Sequence, residues 1–206
     1  RDFCLSRGLG DVYKRQVTNP LGMDIHHTTL GIIGMGRIGQ GIAKRALGFG
    51  MKVIYHNRSR LPEADEKACQ ARYVDKATLL KEADHVILVL PYSAESHHTI
   101  GAKEIALMKP TATLVNIARG GIVDDVALAA ALKAKTIFAA GLDVFEGEPK
   151  VHPDLLACSN IVLAPHIASA SEKTRRAMVA LAVRNVRAAL AGDRPPSLIN
   201  AEVFAK

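Results

Sequence analysis

From Thr29 onward, short runs of β-branched and apolar residues alternate along the chain with segments whose apolar positions recur at helical spacing. The pattern predicts strands over Thr29–Gly34, Met51–His56, His85–Leu90, Ala112–Ile117, Ile137–Leu142 and Ile161–Ala164. Between them it predicts helices near Arg37–Gly48, Pro62–Cys69, Asp75–Ala83, Lys103–Met108 and Asp124–Ala134. Alternation of this kind marks βαβ units, so the expected class is α/β with a doubly wound parallel sheet.

The last stretch breaks that rhythm. Ser169 and Glu172 have capping-box spacing, and Met178, Leu181, Ala182, Val186 and Ala189 then recur at helical intervals until Gly192 and Pro195–Pro196. A long amphipathic helix over Ser171–Ala191, with no strand after it, is expected to leave the sheet and pack against something else. The chain is therefore divided into a main unit at 17–170 and a tail at 171–206.

At 206 residues and 49% apolar content the chain can bury one good core and part of a second. No apolar run approaches the roughly 20 residues that span a bilayer, and no secretory leader is visible, so a cytoplasmic location away from membranes is expected. Cys4, Cys69 and Cys158 form no CxxC pair, and reduced structural thiols are the expected state. The net charge of +7 would suit a nucleic-acid binder, but aromatic residues are only 4% and no long basic block appears. No nucleic-acid partner is expected; a basic excess equally suits anionic cofactors and small anionic substrates.

Residues Ser6–Gln16, SRGLGDVYKRQ, are similar to an in-frame translation of a transposase sequencing adaptor. Residues 1–16 are accordingly expected to be a disordered artefact, the alternative being a natural basic arm.

The most specific local signal is GMGRIG, where Gly34, Gly36 and Gly39 follow a predicted strand and open a predicted helix. The first glycine permits the tight turn, the second lets backbone approach a pyrophosphate, and the third allows close helix–strand packing. A pyrophosphate would lie at the helix N-terminus, where free N–H groups favour negative charge. The sheet is thus expected to be of the Rossmann type. Dinucleotide sites for NAD usually end the second strand in Asp or Glu. Here Asn57 stands there, followed by Arg58, Ser59 and Arg60, which favours NADP over NAD. Solvated loop charges are the plainer reading of those arginines.

Three further residues carry candidate chemistry. Arg119, in NIARGGIVDD, sits past a predicted strand at the carboxyl edge of the sheet, where its guanidinium fork can hold a carboxylate. Glu148 closes GLDVFEGEP and His166 stands in APHIAS, each just after a predicted strand. Imidazole is the natural acid–base group near neutral pH, and a neighbouring carboxylate would raise its pKa and fix the ring. The blander alternatives are a surface salt bridge and a structural histidine. His97–His98 hint at metal, but no third ligand at suitable spacing accompanies them, so no metal is assigned.

HHTTLGIIGMGRIG, NIARGGIVDD, GLDVFEGEP and PHIAS together resemble, in order and spacing, the motifs of D-2-hydroxyacid dehydrogenases, over about Gly22 to Asn200. HHTTLG and the YHNRSR turn look most like the glyoxylate/hydroxypyruvate reductase branch, which also includes 2-ketogluconate reductases. The resemblance implies that Arg119 holds a 2-oxoacid's carboxylate and carbonyl oxygen, that His166 protonates that oxygen as hydride arrives, and that Glu148 keeps His166 protonated. It implies a cofactor groove along Arg37, Ile38, Pro91, Thr99, Ile117 and Ala118, with Asp143, Ala168 and Ser169 near the nicotinamide end. Ala168 departs from the glycine common after PHI in the family. The resemblance further implies that an N-terminal substrate-domain segment is missing, that the final helix belongs to that domain, and that the full-length protein is a homodimer. The chain alone is expected to bind cofactor and turn over poorly or not at all. The rival from another class is a non-catalytic NAD(H)-sensing protein resembling a corepressor; formate, phosphite and phosphoglycerate dehydrogenases share the scaffold.

Overall fold

A computed structural model describes residues 22–204, so the expectation for 1–16 lies outside the described residues. The elements run β1 (Thr29–Ile33), α1 (Arg37–Ala46), β2 (Lys52–His56), α2 (Glu63–Cys69), β3 (Ala71–Tyr73), α3 (Lys76–Glu82), β4 (His85–Leu88), α4 (Ala102–Ile105), β5 (Thr113–Asn116), α5 (Asp125–Lys133), β6 (Ala139–Leu142), α6 (Pro153–Leu156), β7 (Ile161–Leu163) and α7 (Glu172–Leu190). All strand pairs are parallel, in the order β3-β2-β1-β4-β5-β6-β7. Winding therefore reverses between β1 and β4, the place where doubly wound folds open a ligand crevice.

Both faces of the sheet are covered, which is why its strands read as near-continuous apolar runs. Leu30 and Ile32 of β1 pack with Ala43 and Ala46 of α1 in one core. Ile33 joins the larger opposite core with Leu79 and Leu80 of α3, Leu88, Leu114 and Leu128.

The structure departs from expectation where elements are short. β3 was not anticipated: it is a three-residue edge strand, too brief for a period to register, held by the pairs Val53–Ala71 through Tyr55–Tyr73. α6 was likewise unforeseen; it starts at Pro153, where a missing N–H costs nothing, and His152 Nδ1 caps the Asp154 amide. The predicted strands to Leu90 and Ile117 end instead at Leu88 and Asn116, because the chain peels away there to form cleft walls. The final helix is capped by Ser171, whose hydroxyl accepts from the Thr174 amide at 3.2 Å, and not by Ser169. α7 buries none of its residues, leaving Met178, Val179, Val183, Val186 and Leu190 exposed.

One buried polar network shapes the loop that follows β2. Tyr55 is fully buried, and its hydroxyl donates to Glu66 Oε1 at 2.5 Å while accepting the Leu61 amide at 2.9 Å. Arg60 closes a two-pronged pair on the same carboxylate, with Nε and Nη2 each 2.8 Å from an oxygen. The Arg60 and Tyr55 hydrogen bonds pull the Glu66 pKa from 4.5 down to about 2, while burial pushes the Tyr55 hydroxyl up to about 12. A carboxylate with a depressed folded-state pKa stabilises the fold fully above its ordinary pKa and loses that contribution as pH falls toward the depressed one. The stability difference between wild type and Glu66→Gln, measured by urea unfolding, should therefore shrink as pH drops from about 4.5 to about 2. A difference that stays constant across that interval would show that the ionised carboxylate is not what holds the loop.

Candidate active site

The first turn after β1 is built by exclusion. Gly34 has φ +103°, and a Cβ there would lie 2.6 Å from the Val89 carbonyl carbon, so only glycine fits between β1 and the chain leaving β4. A Cβ on Gly39 would meet the Gly34 carbonyl oxygen at 2.5 Å, which brings α1 hard against the turn. A Cβ on Gly36, by contrast, would meet nothing within 4 Å. No side chain caps α1, and its first turn holds no acidic residue. Open space before uncapped N–H groups fits the pyrophosphate of a dinucleotide.

Two clefts flank this turn and share Val89, Leu90 and Pro91 as a common wall. One, of about 640 Å³, is lined by Gly34, Gly36, Asn57, Arg58, Ser59 and Thr99 among others. Asn57 uses its Oδ1 to accept the Met35 amide at 2.6 Å, so it braces the glycine turn. Arg58 and Ser59 are exposed at the rim. Arg60 is committed to Glu66, which removes it from the cations available to a ligand. Thr99 donates its hydroxyl to the Ser96 carbonyl at 2.7 Å.

The second cleft, of about 790 Å³, is lined by Ile38, Pro91, Ile117, Ala118, Arg119, Glu148 and His166 together with Tyr92 and the 145–147 loop. Arg119, Glu148 and His166, from three loops distant in sequence, thus face one space. Arg119 is exposed, with Nη1 donating to the Ala118 carbonyl at 2.6 Å. His166 Nδ1 lies 2.9 Å from Glu148 Oε2, and the other Glu148 oxygen accepts the Phe145 amide at 3.0 Å. The His166 hydrogen bond, followed by that amide, holds the Glu148 carboxyl below its ordinary pKa, so it is an anion beside the ring at neutral pH.

Buried groups behind the cleft hold these exposed ones in place. Asn116 ends β5 with its Oδ1 accepting the Ala118 amide at 3.0 Å and its Nδ2 donating to the Arg119 carbonyl at 3.1 Å. Gly120 sits so close to the next loop that a Cβ would lie 1.8 Å from the Phe145 oxygen. Asp143 is 6% exposed, and its two oxygens accept the Ile167 and Ala168 amides at 2.8 and 2.9 Å. That pair fixes the loop in which His166 adopts φ +53°. Sequence reasoning assigned Asp143 to the nicotinamide end and overlooked Asn116 and Tyr92; a buried amide at a strand's carboxyl end was the signal available for Asn116. Arg37, Gly39, Asp143, Ala168 and Ser169 line neither cleft; Arg37 is exposed at the start of α1 and Gly39 is buried beneath the turn.

Residues 7–168 match the family model described as D-isomer specific 2-hydroxyacid dehydrogenase, NAD binding domain. The chain belongs to that family. It is 51% identical over 184 residues to the glyoxylate reductase of Thermococcus litoralis, covering 89% of this chain and 55% of the relative. It is 50% identical to glyoxylate/hydroxypyruvate reductase B of Escherichia fergusonii, covering 88% and 56%. Among solved structures, a glyoxylate reductase from Paecilomyes thermophila superposes with a TM-score of 0.80 at 41% identity, covering 87% of this chain and 54% of that one. D-lactate dehydrogenase with NAD+ from Lactobacillus jensenii superposes with a TM-score of 0.79 at 32% identity, covering 92% and 62%. This dehydrogenase-family chain thus spans about half the length of the curated relatives it matches. Its NAD-binding domain is the seven-stranded sheet described above.

Asp143→Asn should loosen the His166 loop, because an amide offers one acceptor where two backbone N–H groups now bind. Faster hydrogen exchange at residues 167 and 168, without global unfolding, is the expected readout; unchanged exchange there would show that the carboxylate does not hold the loop.

Proposed function

We propose that this chain carries the cofactor-binding and catalytic half of a 2-oxoacid reductase of the glyoxylate/hydroxypyruvate type. The observation that carries the reading is that a guanidinium and a carboxylate-paired imidazole line one cleft that adjoins the glycine turn. A bound reduced nicotinamide dinucleotide supplies the hydride. Arg119 turns its guanidinium from its own backbone to the substrate, where it binds the carboxylate and polarises the 2-oxo oxygen. His166 delivers a proton to that oxygen, completing the D-2-hydroxy acid. Glu148 holds the imidazole in orientation and favours its protonated form until the transfer.

Arg119, Glu148 and His166 take the chemical roles, and Gly34, Gly36 and Ile38 the cofactor's phosphate side. The cofactor is read as NADP in preference to NAD: an amide at Asn57 presents no repelling charge, and Arg58 stands exposed on the same wall. The whole protein is read as a homodimer working in the cytoplasm without a nucleic-acid partner; among the described residues no helix is long and apolar enough to cross a membrane. The names of the relatives and the intact set of three favour an enzyme over a sensor that only binds the cofactor.

The test follows NADPH and NADH oxidation by the whole gene product with glyoxylate and hydroxypyruvate. His166→Ala should lower kcat/KM by about 100- to 10,000-fold, the usual weight of general acid catalysis, and leave the Kd for NADPH unchanged. Tight cofactor binding with no turnover of any 2-oxoacid by the wild type would instead favour the sensor. Arg58→Ala should raise the KM for NADPH about tenfold or more and leave that for NADH nearly unchanged. Equal effects on both cofactors would refute the phosphate role.

A further inference from the structure

Beside the cleft, His97, His98 and Glu146 bring one ligand atom each to within 4.8 Å of one another. Neighbouring residues in regular backbone point their side chains apart. Here His98 has φ +49° and the two imidazoles stack with centroids 3.8 Å apart and planes at 22°. The His98 amide donates to the Gly121 carbonyl at 2.7 Å, which holds the unusual conformation. Glu146 arrives from the loop after β6 and places Oε2 3.1 Å from His98 Nε2.

Each of the three residues has a further polar neighbour. Tyr92 Oη lies 3.2 Å from His97 Nδ1, and Asp124 Oδ2 lies 3.9 Å from His98 Nδ1. Asp125 Oδ2 accepts the Glu146 amide at 3.2 Å. The Asp124 contact is a charge at ion-pair distance from His98 and not a hydrogen bond; its Oδ1 accepts the Val126 and Ala127 amides at the start of α5. Charge points the same way. Asp124 and Glu146 each approach only His98 among their ion-pair contacts in the described residues, so no lysine or arginine neutralises them.

We propose that His97, His98 and Glu146 bind a divalent transition-metal ion of the zinc class, with the Asp124 charge behind His98 adding to the site's negative potential. Two imidazoles and a carboxylate suit zinc, nickel or copper and suit calcium and magnesium poorly. Zinc bonds of about 2.0–2.2 Å require the donors to draw together and the stacked rings to turn out of parallel, because each imidazole coordinates through a lone pair in its own plane. The side chains of His98 and Glu146 are 35% and 44% exposed, which leaves them room to do so. Water completes the coordination. The ion would clamp the loop after β4 to the loop that carries Glu148. The proposal does not depend on the reductase reading, because its readout is binding.

Equilibrium dialysis of the untagged chain against Zn²⁺, with the bound metal quantified, tests it. One saturable site per chain is expected, and Co²⁺ in its place should show the visible absorption of a low-coordinate nitrogen–oxygen site. His98→Ala and the near-isosteric Glu146→Gln should each weaken binding about tenfold or more, with Asp124→Asn having a smaller effect. The His26→Ala/His27→Ala pair should bind as wild type. Melting temperatures of the metal-free variants identify any that fail to fold, and Glu146→Gln is the decisive one because it keeps shape. Absence of saturable binding, or binding undiminished by Glu146→Gln and by His97→Ala/His98→Ala, overturns the proposal.

Discussion

Parallel pairing on both sides of β1 sets the geometry of everything else. Ile33 lies level with His56 on one side and with Leu88 on the other, so the chain leaves all three strands at one edge of the sheet. The glycine turn, the Asn57 loop and the Val89–Pro91 wall are therefore neighbours by construction. β5, β6 and β7 extend the same direction of travel, and the Arg119, Glu148 and His166 loops leave from that edge too. An antiparallel strand at any of these places would send one of them to the far side of the molecule.

Within that frame the work divides between exposed and buried groups. Arg119, Glu148 and His166 are open to solvent, where a substrate can reach them. Asn116 and Asp143, 2% and 6% exposed, hold the backbone on which they stand. Each of these two holds two backbone groups of the loop beyond its strand. The supporting side chains thus decide where the reactive ones point. The same logic governs the β2–α2 loop, where Arg60 is paired with Glu66 and Arg58 has no ion-pair partner among the described residues.

The chain's local chemistry was enough to establish the alternation of strand and helix, the glycine turn and the three candidate catalytic residues. Each of these is written in spacing: a period of 3.6 or a glycine at a fixed offset depends only on nearby residues. The motifs after β5, β6 and β7 could be read in the same way, because a residue just past a parallel strand lies at the ligand edge whatever the strand order. The tertiary structure alone decided which side chains meet. Arg60 reads as a cofactor cation until folding brings Glu66 to it, and Glu146 reads as a loop carboxylate until it meets His98 across 48 positions of sequence. β3 exists because β2 offers it an edge, and Ser171 is the cap because the backbone turns there and not at Ser169. The β3 pairing and the His98–Glu146 contact depend on strand order and register, whereas the Arg60–Glu66 pair and the Ser171 cap depend on the local path of the backbone; neither kind leaves a periodic trace along the chain.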